Sequence, residues 1–171
     1  MAEDTAARSR SGNAAAAGEP VAAIMRILGY PLALDRSYEP ATHMWVLRAA
    51  EGVARIGMDP LGVETSGTLA QLSFQAVGTA LTAGRPFGQL EAAKFVGPLV
   101  SPVTGTLLAV SEAVAADPGL AERDPFGAGW LIEVRLAAAE LPGGLLSDPD
   151  EITAWFVSKV EEYQLKGVLA Q

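Results

Sequence analysis

The chain of 171 residues contains no cysteine. That excludes disulfides, thiolate metal sites and cysteine nucleophiles. It has one histidine, His43, which is too few for a histidine-built metal site. No serine stands in a nucleophile-elbow motif, so a Ser–His–Asp triad finds no support. Basic residues are outnumbered, 12 Lys and Arg against 20 Asp and Glu, and the net charge is −8. Such a chain is poorly suited to nucleic acid or to anionic membrane surfaces, which call for basic patches. Long apolar runs are missing too: Pro, Gly or a charge interrupts each of them well short of the ~20 residues a membrane span needs. Lysine is the scarcest of the charged residues, present only at Lys94, Lys159 and Lys166.

What is abundant is apolar. Half of the residues are hydrophobic, enough for one domain with its own core. Residues 1–20 are the exception. They are rich in Ala, Ser and Gly and lack the apolar segment of a secretory signal, so they read as a disordered tail of a cytoplasmic protein.

Residues 21–140 carry the pattern of a folded domain. "VAAIMRILGYPLAL" reads as an irregular cover or a short helix. "HMWVLRAAEGVARIGMD" alternates around Glu51-Gly52 and predicts a hairpin. Asp59 followed by Pro60 predicts a capped short helix. "TLAQLSFQA" alternates as a strand. Two strands follow over residues 86–92 and 95–100, and another lies in "SPVTGTLLAVSE". "AVAADPGLAERDPFGAG" reads as a short helix and a loop, and "WLIEVRL" is expected to close the sheet. Residues 141–171 form a linker and a helix. Asp148 caps that helix and Pro149 takes its first position. Ile152, Trp155, Phe156, Val160 and Tyr163 form its buried stripe, read as core packing. Many short strands between Gly/Pro turns, with a terminal helix, predict a mainly β fold: a small barrel or sandwich with peripheral helices.

Lys94 falls between two strands, at the tip of the expected hairpin. An exposed lysine in a turn is ordinarily a solvated charge. Three features favour more: small neighbours in Ala92 and Ala93, no other lysine in the domain, and Gly84 and Gly105 placed almost symmetrically around it as turn residues. A Schiff-base lysine would need a desolvated pocket to lower its pKa, and a hairpin tip does not provide one. A carrier lysine needs what a hairpin tip offers, an amine projecting from a rigid bend to which a modifying enzyme attaches a long arm. There the cofactor supplies the chemistry and the protein supplies attachment and orientation.

Four motifs, in order over about His43 to Leu136, resemble the H-protein of the glycine cleavage system. "HMWV" matches that family's "HEWV", "EAAKF" is similar to "ESVKA", "SPVTG" to "SPVSG", and "DPFGAGWLIEV" to "DPYGEGWLIKI". The resemblance implies a flattened β-barrel or sandwich of the lipoyl/biotinyl-carrier type. It implies a non-enzymatic carrier with lipoate amide-linked to Lys94, and no metal. Glu91 matches the glutamate that helps lipoyl-transfer enzymes recognise the lysine. Ala93 and Phe95 flank the lysine where biotin carriers usually have Met. Thr42, His43 and Met44 would line the cleft that receives the arm, with His43 hydrogen-bonded beside it and Trp45 in the core.

The implied partners are a lipoate ligase or lipoyl transferase, glycine decarboxylase, aminomethyltransferase and dihydrolipoamide dehydrogenase. A loaded aminomethyl arm is cationic, and the family commonly places acids at the positions of Met44 and Pro98. Both acids are absent here. "KFVGP" instead resembles the "KWVGP" of H-like lipoate-binding proteins associated with heterodisulfide-reductase-like sulfur oxidation. An apolar lip of Met44, Phe95 and Val96 is compatible with a sulfur-bearing cargo. A non-lipoylated interaction module that has kept the fold is the third reading.

Overall fold

The structure is a computed structural model, and it describes residues 23–170. The expected N-terminal tail, 1–20, lies outside the described residues. The first described segment is a hairpin, β1 (Ile24–Ile27) with β2 (Tyr30–Ala33), rather than an irregular cover or a short helix. Pro31, which made the segment read as broken, sits in a two-stranded ribbon, where a missing N–H disrupts no central ladder.

β3 (Ser37–Glu39) was not foreseen, and leads into the expected hairpin of β4 (Met44–Ala50) and β5 (Val53–Met58). The first half of β4 is buried on both faces. Met44 and Val46 enter one core, Trp45 and the part-buried Leu47 the other. α1 (Pro60–Ser66) starts as expected: the Asp59 carboxylate accepts from the Gly62 N–H, and Pro60 takes the first turn. β6 (Leu69–Phe74) follows, then a two-residue β7 (Ala80–Leu81), then β8 (Pro86–Ala92) and β9 (Val96–Val100). β10 (Gly105–Val110) leads to two short helices, α2 (Glu112–Ala116) and α3 (Gly119–Arg123), and to β11 (Ile132–Leu136). α4 (Pro149–Leu165) is capped by Asp148, which accepts from the Asp150 and Glu151 N–H groups.

Two sheets form the sandwich. One has the order β3-β4-β5-β11-β10-β7 and the other β6-β8-β9. Among the described residues no closed barrel forms, and the sandwich half of the expectation describes them. β11 does not close a sheet edge; it pairs with β5 and β10 in the middle. Between the sheets, Val46, Ile56, Leu107 and Val134 meet Leu72, Phe87, Leu90 and Leu99. Each such side chain contributes about 1.5–3 kcal/mol on burial.

A second core lies behind β4. Ile152, Phe156 and Val160 of α4 pack there with Tyr38, Trp45, Leu61 and Phe126. Their spacing places them on one helix face. Arg36 is buried beside them, its guanidinium 4.5 Å from the Trp45 ring centre and bonded to the Phe126 carbonyl at 3.2 Å. This core holds α4 and the N-terminal hairpin against the outer side of the sandwich, where both border the β8–β9 tip.

Candidate functional site

β8 and β9 pair in antiparallel register, and the chain reverses over Ala93, Lys94 and Phe95. The Ala92 N–H donates to the Phe95 carbonyl at 2.9 Å and closes the bend. The tip is also tied to the segment after α1. The Ala93 N–H donates to the Thr68 carbonyl at 3.0 Å, and the Lys94 N–H to the Ser66 carbonyl at 2.9 Å. Gly67, between those acceptors, has φ +82 and ψ −169, a region open essentially to glycine alone. A Cβ there would stand 3.0 Å from Lys94 Cγ and 3.2 Å from Lys94 N. The base of the lysine side chain therefore lies in a cradle that any larger residue would fill.

Lys94 is exposed. Lys159 and Lys166 both bond the Glu162 carboxylate, at 2.7 and 2.6 Å. Among the described residues Lys94 is the one lysine whose ammonium has no hydrogen-bond or ion-pair partner. Glu91 lies exposed on the outward side of β8, opposite Val96 and Gln71. Of the two glycines expected to flank the hairpin with turns, Gly84 does so with φ +83. Gly105 instead is the first residue of β10, where a Cβ would collide with the Arg135 carbonyl at 2.1 Å.

Two clefts open beside the tip. The first, of about 400 Å³, brings together Thr42, His43, Met44, Phe95, Pro98 and Tyr163 among others, and among the described residues no carboxylate lines it. Met44 is 2% exposed and belongs to the sandwich core. It is thus part of the cleft floor rather than its lip; of the expected lip residues Phe95, 45% exposed, lines the cleft, whereas Val96, 63% exposed, does not. Thr42 is held from behind, its N–H and hydroxyl both donating to Glu39 Oε2, at 2.8 and 2.6 Å.

His43, at φ +59, is buried between two partners. Its Nδ1 is 2.8 Å from Asp59 Oδ2 and its Nε2 is 2.8 Å from the Tyr163 hydroxyl. A carboxylate only accepts, so Nδ1–H points at Asp59, and in the neutral ring Nε2 is then the acceptor for the Tyr163 hydroxyl. Burial raises the pKa of the Tyr163 hydroxyl and keeps that donor protonated. Asp59 was legible only as a helix cap and Tyr163 only as part of a packing stripe. Nothing in the local pattern shows that one histidine links them.

The second cleft, of about 520 Å³, lies on the other side of the tip and includes Ala93 and Lys94 in its wall. Tyr30, Pro31 and Val63 supply apolar surface, and Glu64, Glu122 and Arg123 supply charge. Tyr30 is raised to about 12 by burial and by its hydrogen bond to Glu64.

A family model, glycine cleavage H-protein, matches residues 36–157. This chain belongs to the glycine cleavage H-protein family. The glycine cleavage system H protein of Mycobacterium avium is 37% identical over 99 residues, covering 58% of this chain and 75% of that protein. The one from Beutenbergia cavernae is 41% identical over 105 residues, covering 61% and 83%. The crystal structure of a glycine cleavage system H protein from Mycobacterium marinum superposes with a TM-score of 0.64 at 33% identity, covering 72% of this chain and 97% of that one. H-protein membership supports a lipoyl-carrier role in glycine cleavage, that of a carrier within a multienzyme system rather than a catalyst. No described helix is long and apolar enough to cross a membrane.

Proposed function

We propose that this H-protein carries lipoate in amide linkage on Lys94 and shuttles an aminomethyl group among glycine decarboxylase, aminomethyltransferase and dihydrolipoamide dehydrogenase. What carries the reading is the unpartnered Lys94 amine, on a bend tied down by backbone bonds at 2.9 and 3.0 Å. The Gly67 cradle leaves room for the lysine stem, so the residues present fit an attached arm. A ligase needs an amine in a defined position, and a bend with its own amides satisfied gives one without a costly search through conformations.

Lipoate, when attached, would supply a dithiolane whose S–S bond accepts the two electrons as the aminomethyl group bonds to one sulfur, and whose two thiols, freed when that group leaves, are then reoxidised. The rest is done by the chain. Ala93, Lys94 and Phe95 hold the attachment point, and Glu91 offers the ligase or transferase a carboxylate three residues upstream. Thr42, His43 and Met44 line the carboxylate-free cleft beside the tip. Asp59 and Tyr163 fix the His43 ring, so that wall keeps its shape whether the cleft is filled or empty. Residues 21–140 serve as the carrier domain, and 141–171 brace it.

The test has two stages. Full-length protein incubated with lipoate and a lipoate ligase is expected to gain one lipoyl group by intact mass, and Lys94→Arg none. An unmodified wild type would favour the interaction-module reading. The lipoylated protein is then mixed with glycine decarboxylase, and labelled bicarbonate is followed into glycine. Robust exchange supports the glycine-cleavage assignment. The absence of any carboxylate in the Met44 cleft favours a second reading, a sulfur carrier for a heterodisulfide-reductase-like complex, and lipoylation without exchange would point there.

A further inference from the structure

The loaded arm of the proposed carrier ends in a protonated amine, and the cleft lined by Thr42, His43 and Met44 has no carboxylate to receive it. The cleft on the opposite side of Lys94 has two, Glu64 and Glu122. We propose that this second cleft, between the N-terminal hairpin and the α1–α3 side of the sandwich, is the berth of the loaded arm, with Glu64 and Glu122 receiving the cationic amine.

Four observations support the assignment. Lys94 and Ala93 line this cleft and not the other, and Lys94 Cγ lies over Gly67, which also lines only this cleft. The side chain that would bear the arm therefore already leans this way. Its size, about 520 Å³, is in the range of small-molecule sites, and Pro31 and Val63 give apolar wall for an aliphatic chain.

The charge balance also changes with modification. Amide formation removes the Lys94 charge. Arg123, the other cation of the wall, is engaged by Asp117, so the modified cleft is left acidic. Both carboxylates are held in place by backbone donors. Glu64 Oε1 accepts from the Ala170 N–H and Glu122 Oε1 from the Leu69 N–H, each at 2.7 Å. Glu64 also accepts from the Tyr30 hydroxyl, but a carboxylate has about four acceptor sites, so each keeps capacity for an ammonium group.

Finally, two walls come from chain outside the match to the family. Tyr30 and Pro31 precede residue 36, and Ala170 follows residue 157. The acid-free cleft and the acidic one, part of whose wall lies outside the family match, thus occur in the same chain, on opposite sides of one lysine.

The inference rests on lipoylation of Lys94, and the experiment separates the two. Full-length protein is lipoylated and its mass checked; an unmodified product would overturn the carrier reading and this one with it. The arm is then reduced and alkylated with 2-bromoethylamine, or with 2-bromoethanol as the uncharged counterpart. Each thiolate displaces bromide to form a thioether, and the arm thiols are the only ones present because the chain has no cysteine.

Amide ¹H–¹⁵N spectra are compared with those of the unlipoylated protein. The cationic arm is expected to shift the Leu69 and Ala170 amides, which report directly on the two carboxylates, more than the neutral arm does. In the double variant Glu64→Gln, Glu122→Gln, which keeps an acceptor for each amide, that difference should be lost. Shifts centred on Thr42, Thr65 and Val100, equal shifts from the two arms, or no shift from either would each overturn the proposal.

Discussion

Gly67→Ala tests whether the lysine is displayed by a rigid bend or merely by an exposed one. Glycine at 67 combines φ +82 with ψ −169, where other residues cost about 1–3 kcal/mol. The new Cβ would stand 3.0 Å from Lys94 Cγ, 3.2 Å from Lys94 N and 3.3 Å from Ala93 Cβ. The tip must therefore withdraw by a few tenths of an ångström. If it withdraws far enough to release the Ala93–Thr68 and Lys94–Ser66 bonds, a further ~1 kcal/mol is lost for each. The expected loss of stability is about 1–3 kcal/mol if the tip yields and about 3–5 if it detaches.

Urea unfolding at constant m-value measures that loss, and the rate of lipoyl transfer by intact mass measures the display of the amine. Gly52→Ala is the control, since Gly52 has φ +68 with nothing within 4 Å of the new Cβ. It should lose about 1–2 kcal/mol through strain alone and be lipoylated at the wild-type rate. The reasoning fails if Gly67→Ala keeps the wild-type midpoint, or if it is lipoylated as fast as Gly52→Ala.

Three further outcomes are expected. Asp59→Ala removes the α1 cap, worth about 0.5–2 kcal/mol, and leaves the buried His43 Nδ1–H unpaired for about 1–3 more. A combined loss of about 1.5–5 kcal/mol should appear in the urea midpoint, with Asp59→Asn losing less because Asn still caps. Phe156→Ala should cost about 3–5 kcal/mol by opening the second core, and hydrogen exchange should show α4 loosening ahead of the sandwich. Hydrogen bonds from Lys159 and Lys166 hold the Glu162 carboxyl down at about 2 against an ordinary value of 4.5. A folded value below the unfolded one means the stabilisation is complete above about pH 4.5 and fades as pH falls toward 2. Wild type should therefore lose its advantage over Glu162→Gln in that window, measured as the difference in Tm across a pH series.

Local pattern carried much of this protein. The alternation around Glu51-Gly52 marked β4 and β5, and Asp59-Pro60 and Asp148-Pro149 marked two helix starts. Lys94 stood out because the chain has so few lysines, and the motifs around it pointed to the H-protein family. These are short-range signals, written in a period, a cap or a spacing between neighbours in the chain. What they could not carry was every feature that depends on distant segments meeting. His43 touches Asp59 and Tyr163 across 16 and 120 residues, and no periodicity encodes such a pairing. Pro31 hid a hairpin because its tolerance depends on the strand being in a two-stranded ribbon. The loss of acids at Met44 and Pro98 was visible along the chain. That Glu64 and Glu122 stand together beside the same lysine was decided only by folding, which brings α1, α3 and the β8–β9 bend to one place.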